Sequence, residues 1–326
     1  MISTYYFRAQ MYTLVPHQVR EDMRWMADHG SDAVIVGVME QDFRAARENL
    51  DLICAEAAKA GLRVLATPSR WGNLVAGCPK VPSILCATRH EVWARNADGS
   101  PAMNFLGPIA SVHHPHTLEA FSEWTTLLLS QWDISGIIWD EPKALEVADH
   151  SEAARQALPG ADYGDPEVIL GAQRDFFGRI NSLARALRPD LRIGMFLFGH
   201  YADMPAMSVL AGTPGLDDFG LDGRPWARED GGVSDSGSGA PSKFLLDQGP
   251  SFIAAARAHG RHALALIENH ALNRADTRLM ERRLDAVLAQ GYDHLIYYYY
   301  PRSCEDAERA MAILGQAIRR YRAMPG

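Results

Sequence analysis

The sequence is poor in lysine and cysteine and has no long hydrophobic run. It contains only four lysines, none in a predicted strand, which argues against an aldolase that needs a buried lysine for its Schiff base. The four cysteines include no C-x-x-C pair, so neither a zinc site nor a disulfide framework is expected. No run approaches the ~18 apolar residues of a membrane span. No signal peptide is visible, and we expect a cytoplasmic protein.

The charge and composition narrow the possible partners. The formal net charge is −8 and 47% of the residues are hydrophobic. A negative surface disfavours nucleic acid and anionic membranes, and we expect neither as a partner. The hydrophobic fraction is ample for a packed core. A homo-oligomer is compatible with the sequence, which leaves the oligomeric state open.

Eight short apolar segments alternate with stretches of helical periodicity. The segments are rich in β-branched and aromatic residues, as buried parallel strands are. The predicted strands are 4–8, 33–39, 63–68, 135–140, 192–198, 218–222, 263–268 and 294–299. Glycines such as Gly30, Gly61, Gly260 and Gly291 close helices just before a strand. The chain is therefore built of eight strand-then-helix units.

The connections differ in length on the two sides of these units. Helix-to-strand links have two to four residues, whereas three strand-to-helix links are long: roughly 69–115, 142–165 and 223–247. This asymmetry predicts a single (β/α)8 TIM barrel over 1–326, with its active face at the C-terminal ends of the strands. A doubly wound open sheet is the alternative, but the first strand lacks the glycine-rich turn that such a fold requires. The low-complexity segment 231–239 in the third long link is expected to be a mobile lid or to be partly disordered.

Acidic residues stand where predicted strands four, six and seven end. Asp140 and Glu141 end the run Ile-Ile-Trp-Asp-Glu-Pro, Asp222 ends strand six, and Glu268 ends strand seven. Barrel geometry brings these ends onto one rim. Glycosidic bond cleavage needs two carboxyl groups, one to protonate the leaving oxygen and one to attack the anomeric carbon or activate water. Each acid alone is also explained by an ion pair or a helix cap, so their joint occurrence carries the argument.

The Trp-Asp-Glu-Pro run after strand four resembles the Asn-Glu-Pro signature of the (β/α)8-barrel glycoside hydrolases of clan A. The resemblance implies that Glu141 is the acid/base and that Glu268, at the end of strand seven, is the nucleophile. Asp140 departs from the pattern, because it replaces an asparagine that donates a hydrogen bond to the substrate 2-hydroxyl. An ionised aspartate cannot donate such a bond.

That departure keeps a second acid pair open. Some α-glycosidase barrels place an aspartate nucleophile after strand four and an aspartate acid/base after strand six, a pattern that Asp140 and Asp222 resemble. Strand alternation places Gly136, Ile138 and Asp140 on one face, so Asp140 points inward while Glu141 begins the turn. The choice between Glu141 with Glu268 and Asp140 with Asp222 remains open at this point, with the first pair preferred.

Other side chains at the predicted strand ends are candidates for substrate binding. Flat aromatic rings stack on sugar faces, and arginine and histidine donate hydrogen bonds to hydroxyl groups. The candidates are Arg8, Trp71, His200, Trp226, His270 and Tyr298. The run Tyr297–Tyr300 must alternate between the inside and the outside of strand eight. The loops after strands seven and eight lack glycine, which disfavours a phosphorylated substrate.

The sequence therefore predicts a glycoside hydrolase that acts on a carbohydrate without a metal or an organic cofactor. Residues His113, His114 and His116 do not have the i, i+4 spacing of helical zinc sites. Two alternatives use the same barrel: a metal-assisted sugar isomerase or lyase, and a noncatalytic carbohydrate-binding barrel. The sugar, the linkage, the stereochemical outcome and the exo or endo mode are not encoded in any motif that we recognise.

Overall fold

In the computed structural model, residues 1–6, 14–45, 47–77, 79–225, 244–301 and 303–323 are described. Of the predicted features, Arg8, Trp226 and the segment 231–239 lie outside these residues. No helix in the described ranges is long and apolar enough to cross a membrane.

Eight parallel strands of the described chain close into a barrel, so the predicted (β/α)8 fold is confirmed. Each strand pairs with its sequence neighbours, and β1 pairs with β8 to close the ring. The strands are β1 Ile2–Tyr6, β2 Ala33–Met39, β3 Arg63–Ser69, β4 Gly136–Asp140, β5 Arg192–Phe198, β6 Asp218–Gly223, β7 His262–Ile267 and β8 His294–Tyr298. Every predicted strand is present, and the observed ends differ from the predicted ones by at most two residues.

Eight helices follow the strands in turn and cover the outside of the barrel. They are α1 Pro16–Asp28, α2 Arg47–Lys59, α3 Pro115–Gln131, α4 Pro166–Leu187, α5 Pro205–Ala211, α6 Gly249–Ala258, α7 Arg274–Leu288 and α8 Ala307–Ala323. Four of them begin at a proline, where the missing N–H costs little. Asn273 caps α7, and its side chain and that of Asp276 form a reciprocal capping box.

The long connections contain shorter elements. The β3–α3 link holds the helical segments Trp71–Asn73, Ile84–Thr88 and His90–Val92 and an antiparallel hairpin of Met103–Asn104 with Gly107–Pro108. The β4–α4 link contains the helix Glu152–Ala157, and the helix Phe244–Asp247 precedes α6. All three long links leave the C-terminal ends of their strands, so the elaborated face of the barrel is the predicted one.

Apolar side chains form two separate layers on either side of the strands. The outer layer packs strands against helices; Trp139 belongs to it and donates its Nε1–H to Asn181 Oδ1 on α4 at 2.9 Å. The inner layer fills the barrel with residues such as Ile138, Phe196 and Leu266. Because side chains alternate along a strand, Asp140 shares the inward face of Ile138.

A polar network closes the N-terminal end of the barrel interior. We call Ser3, Arg192, Asp218 and His294 the floor network. Asp218 accepts two hydrogen bonds from Arg192, at 2.6 and 2.5 Å, and its Oδ2 lies 3.3 Å from His294 Nδ1. His294 Nε2 lies 2.8 Å from Ser3 Oγ. Since a carboxylate only accepts, the imidazole proton belongs on Nδ1, and Nε2 accepts from the serine hydroxyl.

Ionisation in the floor network follows from burial and pairing. Burial opposes the charge on Asp218, yet the hydrogen bonds from His294 and Arg192 hold the pKa of Asp218 below its usual range. Burial also lowers the pKa of His294, although Asp218 acts in the opposite direction. The network thus contains one carboxylate, one guanidinium and a neutral imidazole, so its charges balance.

Candidate active site

Four carboxyl groups meet at the C-terminal end of the barrel. Asp140 ends β4, Glu141 follows it, Asp222 lies near the end of β6, and Glu268 immediately follows β7. All four are buried. Asp222 is hydrogen-bonded to Glu141, and the negative charges of Glu268 and Asp140 also act on Asp222. We call these four residues the acidic cluster. Both acid pairs suggested by the sequence therefore lie in one site.

The loop that carries Asp140 and Glu141 is fastened by main-chain hydrogen bonds. Ala76 N–H donates to Asp140 O at 2.7 Å, Glu141 N–H to Phe196 O at 3.1 Å, and Lys143 N–H to Leu74 O at 2.8 Å. Glu141 has a φ of 36°, in the left-handed region that non-glycine residues rarely adopt. Such strain persists only where the surroundings impose it, and it is frequent at functional sites.

Asp140 points into the barrel beneath this loop. The Tyr5 hydroxyl donates to Asp140 Oδ2 across 3.4 Å. Burial and the neighbouring charge of Glu141 raise the pKa of Asp140 to about 7, although Lys143 and Arg70 act in the opposite direction. A carboxyl group in this setting carries a proton at neutral or slightly acidic pH, which an aspartate in water does not.

Glu141 and Asp222 have opposite protonation states. Burial would raise the pKa of Glu141, but the Lys143 ammonium, which donates to Glu141 Oε2, and the hydrogen bond with Asp222 lower it to about 2. Burial and the charge of Glu141 raise the pKa of Asp222 well above its usual value. The two pKa shifts have opposite directions, so a proton shared by the pair is favoured on Asp222 over Glu141. Asp222 Oδ1 is buried and has no hydrogen-bond partner among the described residues.

Two arginines, Arg70 and Arg224, support the site. Arg70 follows β3 in a left-handed conformation with a φ of 61°, and its Nε–H donates to Pro79 O at 3.4 Å. Its charge lowers the pKa of Asp140 and of Glu141. Arg224, just beyond β6, donates to His270 O at 2.9 Å. That bond joins the β6 and β7 ends, so it helps to hold Glu268 in place.

Aromatic side chains line one side of the acidic cluster. The Tyr298 ring is half-buried on the inner face of β8, and its centroid lies 5.4 Å from the Tyr5 ring and 5.4 Å from the His270 ring. Tyr297 and Tyr299 belong to the outer layer. The alternation predicted for the tyrosine run is confirmed. Tyr298 and His270 thus lie on the side of the cluster from which the Tyr5 hydroxyl reaches Asp140.

His200 lies at the end of β5 in the helical turn Gly199–Tyr201 and is exposed. Its ring centroid is 3.9 Å from that of Tyr201. Partial burial lowers the pKa of His200, while the charges of Glu146 and Glu141 raise it. Because the charge of Glu141 raises its pKa, His200 must lie at the same end of the barrel as the acidic cluster. It is neutral at pH 7 and free to donate or accept one hydrogen bond at the rim.

Trp71 does not line the site, and its assignment as a substrate-binding residue is wrong. Its side chain is 0% exposed, and its Nε1–H donates to Val38 O at 2.8 Å. Its ring packs against Phe43, Phe121 and Trp124 between the barrel and the helices. Apolar contact on all sides outweighs exposure at the rim for so large a ring.

The histidines that precede α3 have structural partners. His114 caps the helix by accepting the N–H of His116 on its Nδ1 at 3.2 Å, and His116 Nδ1 lies 2.7 Å from Glu119 Oε2. In the part of the chain that the structure describes, no group of three or more His, Cys, Asp and Glu side chains is arranged to hold a metal ion.

Lys143 and Tyr5 were not singled out from the sequence, yet both touch the acidic cluster. Lys143 is two positions after Glu141, in a loop that leaves an acidic strand end, and lysine is rare in this chain. Tyr5 has an inward position in β1. Strand alternation could have located Tyr5, and the spacing could have drawn attention to Lys143. Neither signal shows which carboxylate a side chain will reach.

Comparison with known proteins finds likeness in fold alone. No family model matches the sequence, and no curated protein matches it. The catalytic domain of β-amylase from Paenibacillus polymyxa is 12% identical, with a TM-score of 0.62, over 100% of this chain and 99% of that one. α-L-Fucosidase isoenzyme 2 from Paenibacillus thiaminolyticus is 15% identical, with a TM-score of 0.64, over 98% of this chain and 49% of that one.

A third structure, the endo-β-1,4-mannanase from Thermotoga petrophila, is 11% identical with a TM-score of 0.58, over 99% of this chain and 77% of that one. The chain thus spans nearly all of the β-amylase domain but about half of the fucosidase. These similarities show that the (β/α)8 fold is shared.

Proposed function

We propose that this protein is a glycoside hydrolase that cleaves an O-glycosidic bond in an oligosaccharide or glycoside. The observation that carries the proposal is the acidic cluster, in which Asp222, whose pKa is raised well above its usual value, lies beside Glu141 and close to Glu268. Acetal cleavage requires a proton donor and a carboxylate in one site. Barrels of this fold include the β-amylase, fucosidase and mannanase named above, which supports the assignment.

We assign proton donation to Asp222 rather than to Glu141. The resemblance to clan A would make Glu141 the acid, but an ionised carboxylate in an ion pair has no proton to give. The raised pKa of Asp222 favours its protonated form, whose proton makes the hydrogen bond to Glu141. A glycosidic oxygen placed beside Asp222 would receive the proton as the bond to the anomeric carbon breaks.

Glu268 is the carboxylate that we assign to the anomeric carbon. Asp222 and Glu141 are in hydrogen-bond contact, which is closer than the ~5 Å or more that a flanked glycosidic bond requires. Those two residues therefore do not flank the same bond. Of the two remaining acids, Asp140 has a pKa raised to about 7, and we assign the role to Glu268. It either attacks the anomeric carbon or takes a proton from an attacking water.

Asp140 can serve as a hydrogen-bond donor in spite of replacing the clan A asparagine. With a pKa raised to about 7, it is protonated in the lower part of the neutral range. A protonated carboxyl group donates one hydrogen bond, as an amide does. Because Tyr5 donates to Oδ2, the other oxygen is the one available to carry the proton towards a substrate hydroxyl.

The decisive experiment compares Asp222→Asn, Glu141→Gln and Glu268→Gln on two kinds of substrate. Natural glycans need protonation of the leaving oxygen, whereas dinitrophenyl glycosides do not. We expect D222N to lose turnover of glycans by about 10²–10⁴-fold and to retain it on dinitrophenyl glycosides. We expect E268Q to lose turnover on both. Asp98→Asn, in an exposed part of the long β3–α3 link, is the matched control.

Two outcomes would contradict the proposal. If E141Q shows the dependence on the leaving group and D222N does not, the proton donor is Glu141. If D222N and E268Q both retain near-wild-type turnover, the acidic cluster does not cleave glycosides. Calorimetric binding of glycans without any turnover would then identify a noncatalytic carbohydrate-binding barrel.

A metal-assisted sugar isomerase or lyase is distinguished by chelation. In this site the cation that contacts Glu141 is the ammonium of Lys143. Dialysis against a chelator leaves a two-carboxylate hydrolase unaffected, whereas a metal-dependent isomerase or lyase loses activity and regains it with added divalent cations.

A cytoplasmic location is part of the proposal. Cys54, Cys86 and Cys304 are thiols rather than disulfides, as is usual in a reducing compartment. Cell fractionation tests it, and recovery of the protein outside the cytoplasm would contradict it.

A further inference from the structure

Lys143 is built into the acidic site rather than placed on the protein surface. Its side chain is only 28% exposed, and its Nζ contacts Glu141 Oε2. By contrast, Lys59, which also pairs with a glutamate, is 65% exposed on α2. A lysine loses side-chain entropy and hydration when it is buried in this way, so its retention beside Glu141 needs a compensating interaction.

The main chain fixes where the Lys143 ammonium can reach. Its N–H donates to Leu74 O at 2.8 Å, and the two following residues, Ala144 and Leu145, are buried in the outer layer. Pro142 precedes it with a restricted φ. The short path from Glu141 through Pro142 to Lys143 therefore folds the ammonium back onto the carboxylate of the same loop.

Several elements direct ionisable groups towards Glu141. Asp140 comes from β4, Arg70 from the end of β3, Asp222 from β6, and Glu268 acts on Asp222 from β7. His200 and Tyr201, at the end of β5, also sense Glu141. Lys143 interacts with three carboxyl groups at once: Glu141, Asp140 and Asp222. It is the ammonium that contacts the cluster directly, because Arg70 acts at longer range.

We propose that Lys143 is a positioning residue whose ammonium keeps Glu141 ionised and thereby leaves the shared proton on Asp222. The catalytic part of this inference rests on the proposed hydrolase function. Without the ammonium, Glu141 and Asp222 become two buried carboxyl groups that compete for one proton. The proton would then spend part of its time on Glu141, and Asp222 could not donate it to the leaving oxygen.

The test combines a direct titration with turnover measurements on the two kinds of substrate. Protein labelled with ¹³C at the glutamate side-chain carboxyl is titrated by NMR, and Glu141→Gln identifies the Glu141 signal. We expect Lys143→Met to move the Glu141 titration upward by about one pH unit or more, and to lower turnover of glycans more than turnover of dinitrophenyl glycosides. Lys143→Arg keeps the charge and should restore both. Lys59→Met, which removes an exposed lysine from its pair with Glu56, should change neither.

Each outcome separates the inference from the function on which it builds. If K143M leaves the Glu141 titration in place, Lys143 does not set the proton distribution, whatever the activity. If the titration moves but wild-type protein hydrolyses no glycan, the hydrolase proposal fails and the role of Lys143 stands. If K143M does not fold, Lys143→Gln, which keeps a donor without the charge, gives the same reading.

Discussion

The two ends of the barrel interior handle buried charge in opposite ways. In the floor network one carboxylate is matched by one guanidinium and a neutral imidazole. In the acidic cluster the Lys143 ammonium contacts Glu141, while burial and neighbouring negative charge raise the pKa of Asp140 and of Asp222, which favours their protonated forms. Matched buried charge holds structure together, whereas mismatched charge stores a proton at an unusual pKa. The network that stabilises the barrel and the cluster proposed to carry the chemistry thus lie at opposite ends of the barrel axis.

The largest effect should come from the acidic cluster. We expect Glu268→Gln to lower kcat by about 10²–10⁴-fold, because an amide neither attacks nor accepts a proton. Its free energy of unfolding should stay the same or rise, because the negative charge that acts on the buried Asp222 carboxyl group is removed. Steady-state kinetics and urea unfolding on the same preparation measure both. A fall in stability together with activity would mean that Glu268 belongs to a structural network like the floor.

Asp218→Asn should have the opposite effect. Removing one partner of a buried ion pair leaves Arg192 uncompensated, and we expect a loss of about 3–5 kcal/mol in the free energy of unfolding. Turnover per folded molecule should be unchanged. Asp285→Asn, which removes an exposed pair with Arg320, should cost about 0–1 kcal/mol. If D218N lowers the free energy of unfolding no more than D285N does, the floor network is not a stabilising ion pair and the contrast between the two ends is wrong.

The two ends should also respond oppositely to pH. The pKa of Asp218 is lowered, so its contribution to stability is present above the unfolded value and lost as pH falls through the folded value. The pKa of His294 is also lowered, so near pH 6.5 the unfolded state binds a proton that the folded state does not. The free energy of unfolding therefore decreases as the pH decreases, as it does for Asp218.

Asp140 has the reverse dependence because its pKa is raised from 3.8 to about 7. Its contribution is fully present below the unfolded pKa and is lost as pH rises through about 7. We expect Asp140→Asn to gain stability over wild type between pH 5 and pH 8, by an amount on the order of a few kcal/mol. Urea unfolding across that range measures the difference. A difference that does not change with pH would show that Asp140 is ionised throughout.

The smallest effect concerns Trp71, which follows the end of β3 but is buried in the core. Trp71→Phe should leave KM unchanged, because the ring makes no contact with the site. It should cost about 1–3 kcal/mol of stability, since the Val38 carbonyl loses its buried donor and packing is reduced. A rise in KM without loss of stability would restore Trp71 to the substrate-binding group.

The fold could be predicted from local patterns that are visible in the sequence. Strand period, helix-closing glycines and the three long links were enough to predict the barrel and the rim on which Asp140, Asp222 and Glu268 meet. Strand parity also predicted that Asp140 faces inward and that the tyrosines of strand eight alternate between the inside and the outside. These features depend on neighbours along the chain, so they survive without tertiary information.

The features that could not be predicted from the sequence depend on contacts across the barrel. The partner of Lys143 and the bond between Glu141 and Asp222 are decided by which strands stand opposite each other and by loop closure. The floor network was missed for the same reason: Ser3, Asp218 and His294 come from β1, β6 and β8 and meet only when the ring closes. Trp71 was misassigned because a large aromatic ring after a strand suits both a rim and a core, and burial decides between them.

The fastening of the β4 end has a consequence for engineering. The bonds that hold this segment, from Ala76, Glu141 and Lys143 to carbonyl oxygens, involve peptide groups only. Shortening a reactive side chain there would leave an empty space whose walls keep their positions. Small anions such as formate or azide could occupy that space and stand in for a deleted carboxylate, which makes this segment a natural place to attempt chemical rescue.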